Sequence, residues 1–344
     1  MSSAPHLVII GNGVAGNRAA EILREKDKDC RISIISAGPL LFYNRYELPD
    51  VFKGRQDWRD YLENPPEYFS DNNITLRRRS IVADVDTERR KLVLAHREEV
   101  GFDQLLVATG GAGYLPERLQ ETASLTHQFT TYRSAMKMYK ALPKGGRVVM
   151  LGGDMIGLDL ARTLIETGYQ VTVVPGDRTF WPHEISAEDR PKYLAALETM
   201  GIEVINHGEV ERIEDTSGGA TARRVVFVSG ETVSADVVVT QYGLAPMVDF
   251  MSTAGVDIER GLLVNPQLKT TRDEIYAAGD VCQIWEQESN GYRFYYGWRN
   301  VRKMGEISAR NMMGADVPFE TEVDEQLIIK DDGSIDSPFW EYSA

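Results

Sequence analysis

Cysteine is scarce. The 344 residues hold two, Cys30 and Cys282, far apart and outside any CxxC pair. That gives no basis for a disulfide framework, a zinc site or a cysteine-held iron–sulfur cluster, and no metal site is expected. Long apolar runs are lacking as well. None approaches the roughly 18 to 20 residues that a membrane span needs. Positive charge is short: 38 Lys and Arg stand against 52 Asp and Glu, a net charge of −14. A nucleic-acid binder needs a basic footprint, so that class is excluded. Local basic runs at Arg77-Arg78-Arg79 and Arg89-Arg90-Lys91 read as solvated faces near a strand edge. The first apolar run starts six residues in, so no signal peptide is expected. With so few thiols, a reduced cytoplasm is expected.

What is there begins at once. Leu7–Ile10 is apolar and rich in β-branched residues, the pattern of a buried strand. Gly11-Asn12-Gly13-Val14-Ala15-Gly16 follows, and Ala19, Ala20, Ile22 and Leu23 then recur at helical spacing. In a dinucleotide turn, the place of Gly11 permits the tight bend and that of Gly13 lets a pyrophosphate reach the backbone. The place of Gly16 lets the helix sit close on the strand. The helix start offers unpaired N–H groups and a partial positive charge to phosphate. Arg31–Ile35 reads as the next strand. An acidic residue is expected about 20 positions after the glycines to bond the ribose. Ser36 stands there, followed by Ala37.

The pattern then repeats. Arg147–Leu151 is a strand, Gly152-Gly153-Asp154-Met155-Ile156-Gly157 a turn, Leu158–Thr167 a helix and Gln170–Val174 a strand. Such a repeat predicts two nucleotide-binding units in one chain. Between them Leu40–Gly54 is an aromatic-rich loop, and Trp58–Tyr68 looks helical. Strands are expected at 74–79, 81–86, 91–94 and 102–108, and a polar linker at 114–130. Helices are expected at 132–142 and 193–200, with strands at 202–205, 223–228, 232–239, 262–264 and 274–278. Val281 onward can start a helix, and 301–313 forms a closing one. Residues 315–344 are acidic and end in Phe339, Trp340 and Tyr342.

The expected fold class is α/β. It has two Rossmann-like, doubly wound, three-layer dinucleotide-binding domains, the second inserted in the first, with β-meanders and a short C-terminal tail. Residues 1–112 and 241–315 make the first domain, 113–240 the second and 316–344 the tail.

Five ordered stretches carry a family likeness. They are Gly11–Gly16, Ala108-Thr109-Gly110, the turn at 152–157, Gly243-Leu244-Ala245-Pro246, and Thr270 to Asp280 with its Ala277-Ala278-Gly279-Asp280 ending. Phe42-Tyr43-Asn44-Arg45 and Trp298…Gly305…Ala309 also fit. On these residues the chain resembles the pyridine nucleotide–disulfide oxidoreductase superfamily. Within it the likeness is to rubredoxin and ferredoxin reductases and the flavin part of nitrite reductases.

The resemblance implies bound FAD, held by Gly11, Gly13, Val14, Ala15, Gly16, Ser36, Ala37, Arg45, Val82, Ala108, Thr109, Gly110, Gly279, Asp280 and Trp298. Arg45 would lie on the pyrophosphate and Asp280 on the ribityl and pyrophosphate side. The helix after Asp280 would point its start at the flavin pyrimidine. A second set, Gly152, Gly153, Asp154, Ile156, Gly157, Asp159 and Gly243, would face NAD(P)H, with Asp159 near flavin and nicotinamide. No side chain is implied as catalytic acid or base, because flavin N5 does the chemistry. The implied activity passes electrons from NAD(P)H through flavin to a small redox protein or an iron–sulfur partner.

Several positions depart from the family. The redox-active cysteine pair of its disulfide reductases is missing, so disulfide reduction is not expected. The tail is too short for a usual interface domain; it docks on its own chain or meets a partner subunit. Asp154 puts a carboxylate where the second turn should have its middle glycine. Like charges about 4 Å apart cost about 4 kcal/mol near a protein surface. Val174 is followed by Pro175-Gly176 instead of a ribose-binding acid, and Arg178 lies just beyond. An alternative therefore stands beside the reductase: an FAD-binding electron-transfer subunit or regulatory module with a degraded NAD(P)H site. An oxidase that leaks electrons to dioxygen is a third reading.

Overall fold

A computed structural model describes residues 4–206, 208–217, 222–321 and 326–340. The chain is α/β, as expected, and its contacts divide it into two compact units. The first is Met1–Asn44, Leu62–Ala112 and Ala245–Asp324; the second is Arg45–Tyr61, Gly113–Leu244 and Glu325–Ala344. Six α-helices lie among the described residues: α1 (Val14–Lys26), α2 (Tyr68–Asp71), α3 (Tyr132–Ala141), α4 (Met155–Glu166), α5 (Arg190–Thr199) and α6 (Trp298–Met312).

The first unit is built on a five-stranded parallel sheet. Its order is Ile275–Ala277, Gln104–Val107, His6–Ile10, Arg31–Ile35, Ile74–Arg77. The N-terminal strand sits in the middle, and Val8, Ile9, Leu105 and Leu106 are fully buried. Burial on both faces explains why these strands read as continuous apolar runs. Helices α1 and α6 pack so closely that a Cβ on Gly305 would lie 2.4 Å from the Ala15 carbonyl oxygen. An antiparallel meander, Val82–Asp86, Lys91–Leu94 and Glu99–Gly101, belongs to the same unit.

The second unit repeats the plan on four parallel strands, in the order Glu203–Val204, Gln170–Pro175, Arg147–Gly152, Val237–Gln241. A second meander joins Val210–Asp215, Arg223–Phe227 and Thr232–Ala235. Residues 45–61 belong to this unit because their 3-10 turn, Leu48–Lys53, inserts Phe52 among Phe129, Tyr139 and Tyr169.

Several expected elements differ. Residues 58–68 are not one helix. A 3-10 turn covers Trp58–Tyr61, and α2 begins only at Tyr68. Pro65 and Pro66 lie between them, and proline cannot donate to a helical ladder. Val281 starts no helix: Cys282–Glu286 is a strand paired with Leu262–Val264, and the next helix waits until Trp298. The run at 232–239 breaks at Asp236 into two strands of different sheets. The Asp236 carboxylate accepts from the Arg147 amide, and that bond marks the corner. The linker at 114–130 contains a 3-10 helix over Glu117–Leu125. The strand Val210–Asp215 was not foreseen; its alternation is weak, with burial only at Val210 and Ile213.

Candidate functional site

The two glycine turns sit at the carboxyl ends of the two parallel sheets. There the strands release the backbone and helices begin, the usual place for ligands in doubly wound sheets.

In the first unit, Gly11 has φ +122°, and a Cβ there would lie 2.0 Å from the Ala108 carbonyl oxygen. The turn is thus pressed against Ala108-Thr109-Gly110. The Ala108 amide donates to Ile10 at 2.7 Å and the Gly11 amide to Ile35 at 2.9 Å. A Cβ on Gly16 would meet the Gly11 carbonyl at 2.2 Å, so the helix sits tight on the turn. Gly13 is the opposite case: nothing lies within 4 Å of its Cβ direction. It is the N-cap of α1, with no side-chain cap, and the first helical turn holds no acidic residue. The start of α1 therefore faces open space with its amide donors unspent on side chains.

Gly279 closes on the same place. A Cβ there would be 3.7 Å from the Ala15 Cβ and 3.4 Å from Val301. Gly279-Asp280 and Gly11 thus share one sheet edge. Helix α6 also begins without a side-chain cap or an acidic first turn, on Gly297 at φ +89°. Thr109 donates its hydroxyl to the Met247 carbonyl at 2.9 Å. Ser36 is buried, and its hydroxyl accepts from the Gly38 amide at 3.2 Å. Beside it a cavity of about 540 Å³ is lined by Pro39 and residues 76–80. Arg77 there pairs with Glu98 at 2.7 Å and Arg78 donates to the Pro39 carbonyl, so the basic run is partly spent. Val82, Ala37 and Trp298 fall in this unit; Arg45 falls in the other.

The second turn has the same backbone but a different filling. Gly152 has φ +97°, and a Cβ there would lie 2.2 Å from the Gln241 carbonyl, as at Gly11. Asp154, in the place of Gly13, is fully buried. Its carboxylate caps α4: Oδ1 accepts from the Gly157 amide at 2.7 Å and Oδ2 from the Gly243 amide at 2.5 Å. The carboxylate does not stand free in the path of a phosphate. It holds the donors that a phosphate would use. Burial pushes its pKa up to about 6, and the Gly157, Gly243 and Ile156 amides pull the other way.

Around it the loop 176–181 is fastened to the turn. The Thr179 hydroxyl donates to the Gly152 carbonyl, and the Phe180 amide to the Gly153 carbonyl at 2.8 Å. Trp181 lies so close to Gly243 that a Cβ there would be 2.5 Å from the indole. Arg178 stacks its guanidinium 4.6 Å from the Tyr114 ring and 5.7 Å from Trp181. Asp159 is nearly buried and paired with Arg162 at 2.6 Å. Burial raises its pKa, and Arg162 opposes that.

Trp181, Thr179 and the bond from Gly243 to Asp154 carry no signal in the sequence, because they depend on contacts made across the fold. Both cysteines are buried and free, and burial pushes both thiols up, away from the reactive thiolate.

Comparison with known proteins agrees with this architecture. "Nitric oxide reductase FlRd-NAD(+) reductase" of Klebsiella pneumoniae is 29% identical over 279 residues, 81% of this chain and 72% of that protein. "Nitrite reductase [NAD(P)H]" of Bacillus subtilis is 29% identical over 80% of this chain and 34% of its own length. Among solved structures, the covalent putidaredoxin reductase–putidaredoxin complex matches at a TM-score of 0.83 and 22% identity, over 93% of this chain and 78% of that one. That likeness supports the fold. Residues 5–296 match the pyridine nucleotide-disulphide oxidoreductase family along most of the chain. With two glycine turns on two parallel sheets, this chain belongs to that family.

Proposed function

We propose that the chain is an FAD-dependent oxidoreductase that takes electrons from NAD(P)H and delivers them to a small redox protein or an iron–sulfur protein. The observation that carries the flavin reading is the start of α1. Its cap residue is a glycine with open space before it, and no side chain occupies its amide donors. A pyrophosphate fits there. Gly11 and Gly16 are needed to shape the seat, and Gly13 to leave it empty. Ser36 replaces the usual carboxylate at the ribose, and Asp280 stands at the same sheet edge for the rest of the cofactor. The start of α6 adds a second positive helix end in this unit, suited to charge on the flavin. Bound flavin supplies the redox chemistry; the protein binds, orients and shields it. Buried, unpaired thiols suit a reducing cytoplasm.

The second unit keeps the dinucleotide fold but fills its pyrophosphate seat with its own carboxylate. A nucleotide docked here lies beside the turn, or displaces Asp154. This favours one second reading: an FAD-binding electron-transfer subunit or regulatory module that does not use NAD(P)H itself. One experiment separates the two. The purified chain is expected to be yellow, and its flavin absorbance to bleach anaerobically on adding NADH or NADPH. A colourless chain that takes up no FAD sinks both readings. A yellow chain that neither nucleotide bleaches leaves only the second.

A further inference from the structure

Residues 326–340 belong to the second unit and pack on it. Strands Ile328–Ile329 and Ile335–Asp336 pair as a hairpin, and the Tyr193 hydroxyl donates to the Leu327 carbonyl at 2.7 Å. Leu327, Ile335 and Ser337 are buried. Ser337 bonds His183 at 3.1 Å, and Phe339 meets the His183 ring edge-on at 5.2 Å. The hairpin is therefore anchored, and its 3-10 turn, Pro338–Trp340, is aimed at α4.

Trp340 is where the segment touches the site. Its indole N–H donates to the Met155 carbonyl at 3.0 Å, and its ring lies 4.8 Å from the Arg162 guanidinium. Met155, Asp159 and Arg162 are spaced four and three residues apart, so they share one face of α4. Met155 is also the first helical residue after Asp154 and receives no acidic neighbour in its turn. The indole thus covers the face that starts at the glycine turn and carries the Asp159–Arg162 pair. In a doubly wound unit a dinucleotide crosses the carboxyl ends of the strands at the start of this helix. The indole is held there by one hydrogen bond and one cation–π stack, and the turn that carries it by the Phe339 ring against His183, each of a strength that ligand binding overcomes.

We propose that the turn at residues 338–340, beyond the anchored hairpin, is an autoinhibitory strap: Trp340, seated on the Met155–Asp159–Arg162 face of α4, occupies the flank against which a nicotinamide nucleotide docks, and the strap lifts when one binds. This rests on reading the second unit as the nicotinamide-nucleotide unit. A site that is open only part of the time binds with an affinity lowered by the fraction open. Removing the indole removes that tax.

The test uses the full chain with its flavin. NAD+ and NADP+ are titrated in turn by calorimetry into the native protein, Trp340→Ala and Trp340→Phe. Hydrogen exchange of the Phe339 and Trp340 amides, both bonded to Ser337, is followed with and without saturating nucleotide. Trp340→Ala is expected to bind at least about fivefold more tightly, and Trp340→Phe by a smaller factor, because it keeps the ring over Arg162 but loses the N–H donor. Bound nucleotide is expected to speed exchange at Phe339 and Trp340 in the native chain, a measurement that needs no variant to fold. Protection that stays unchanged or rises at saturation overturns the strap, whatever the variants do. So does an absence of binding by all three proteins. The functional reading fails separately. If nucleotide lifts the strap but never bleaches the flavin, the strap stands and the reductase falls. If the flavin bleaches while the amides stay protected, the reductase stands and the strap falls.

Discussion

The starts of α1 and α4 are the same piece of architecture with opposite electrostatic endings. Both follow a central parallel strand, and both are bent by a glycine whose Cβ would strike a carbonyl 2.0 or 2.2 Å away. At α1 the cap is Gly13, with open space before it and no side chain on the amides. At α4 the cap is Asp154, buried, bonded to Gly157 and Gly243. One helix start has no side chain on its amides; the other is capped by a carboxylate of its own. The same glycine-bent backbone therefore accommodates either an open cap or a buried carboxylate at the helix start.

The sharpest way to break the comparison is to attack the shared part. Gly11→Ala and Gly152→Ala each drive a methyl into a carbonyl at a positive φ. Each is expected to cost about 3 kcal/mol or more. Denaturant melts would show it, and Gly11→Ala is expected to lose bound flavin as well. A cost under about 1 kcal/mol at either position would mean the turn relaxes and the tight approach is not required.

Next in size is the part that differs. Asp154→Ala leaves the Gly157 and Gly243 amides buried without their acceptor. A loss of about 1 to 3 kcal/mol is expected from a melt. Asp154→Asn keeps an acceptor and should recover much of it. Asp154→Gly rebuilds the first turn's pattern in the second, and nucleotide binding by titration is expected to tighten. Unchanged binding would show that the carboxylate is not what keeps phosphate off the turn.

The buried carboxyl also leaves a pH signature. Its folded pKa is raised to about 6 by burial, above its ordinary value of 3.8. The folded protein then binds this proton more tightly than the unfolded chain. Stability from this group is greatest below about pH 4, falls as pH rises toward about 6, and is flat above that. At about 1.4 kcal/mol per unit the change is on the order of 2 to 3 kcal/mol. It is read as the native stability minus that of Asp154→Asn at pH 4 and pH 7. A difference that stays constant across that range overturns the assignment.

The smallest structural effect belongs to the most specific site. Gly13→Ala meets no atom within 4 Å. Its melt is expected to shift by less than about 0.5 kcal/mol, the range of surface changes. Its flavin content is expected to fall, because the methyl enters the seat. A Gly13→Ala chain that stays fully yellow would place the pyrophosphate elsewhere.

Much of this is legible in the sequence itself. Continuous apolar runs marked the central strands, which are buried on both faces, and apolar residues at helical spacing marked α1, which is buried on one. The glycine turns were legible because only glycine meets their φ and close contacts. The strand at Cys282–Glu286 was not, since a short apolar run after an aspartate suits a helix start equally well; pairing with Leu262–Val264 decided it. Asp154 was visible as a departure, but its role was not. A carboxylate at a helix start reads as a repelling charge until its two amide partners are seen, and Gly243 lies 89 positions away. Residues 40–54 were legible as an aromatic loop, yet nothing local told which unit Phe52 would enter.

The path of the backbone carries one more consequence. The chain passes between its two units at 44–45, 61–62, 112–113, 244–245 and 324–325. Neither unit can be cut out as one continuous fragment. A piece ending at residue 112 would lose the edge strand Ile275–Ala277 and α6, and a piece spanning 113–244 would lose Phe52 and the strap. Proteolytic halves of this molecule should therefore stay associated after nicking and refuse to refold apart.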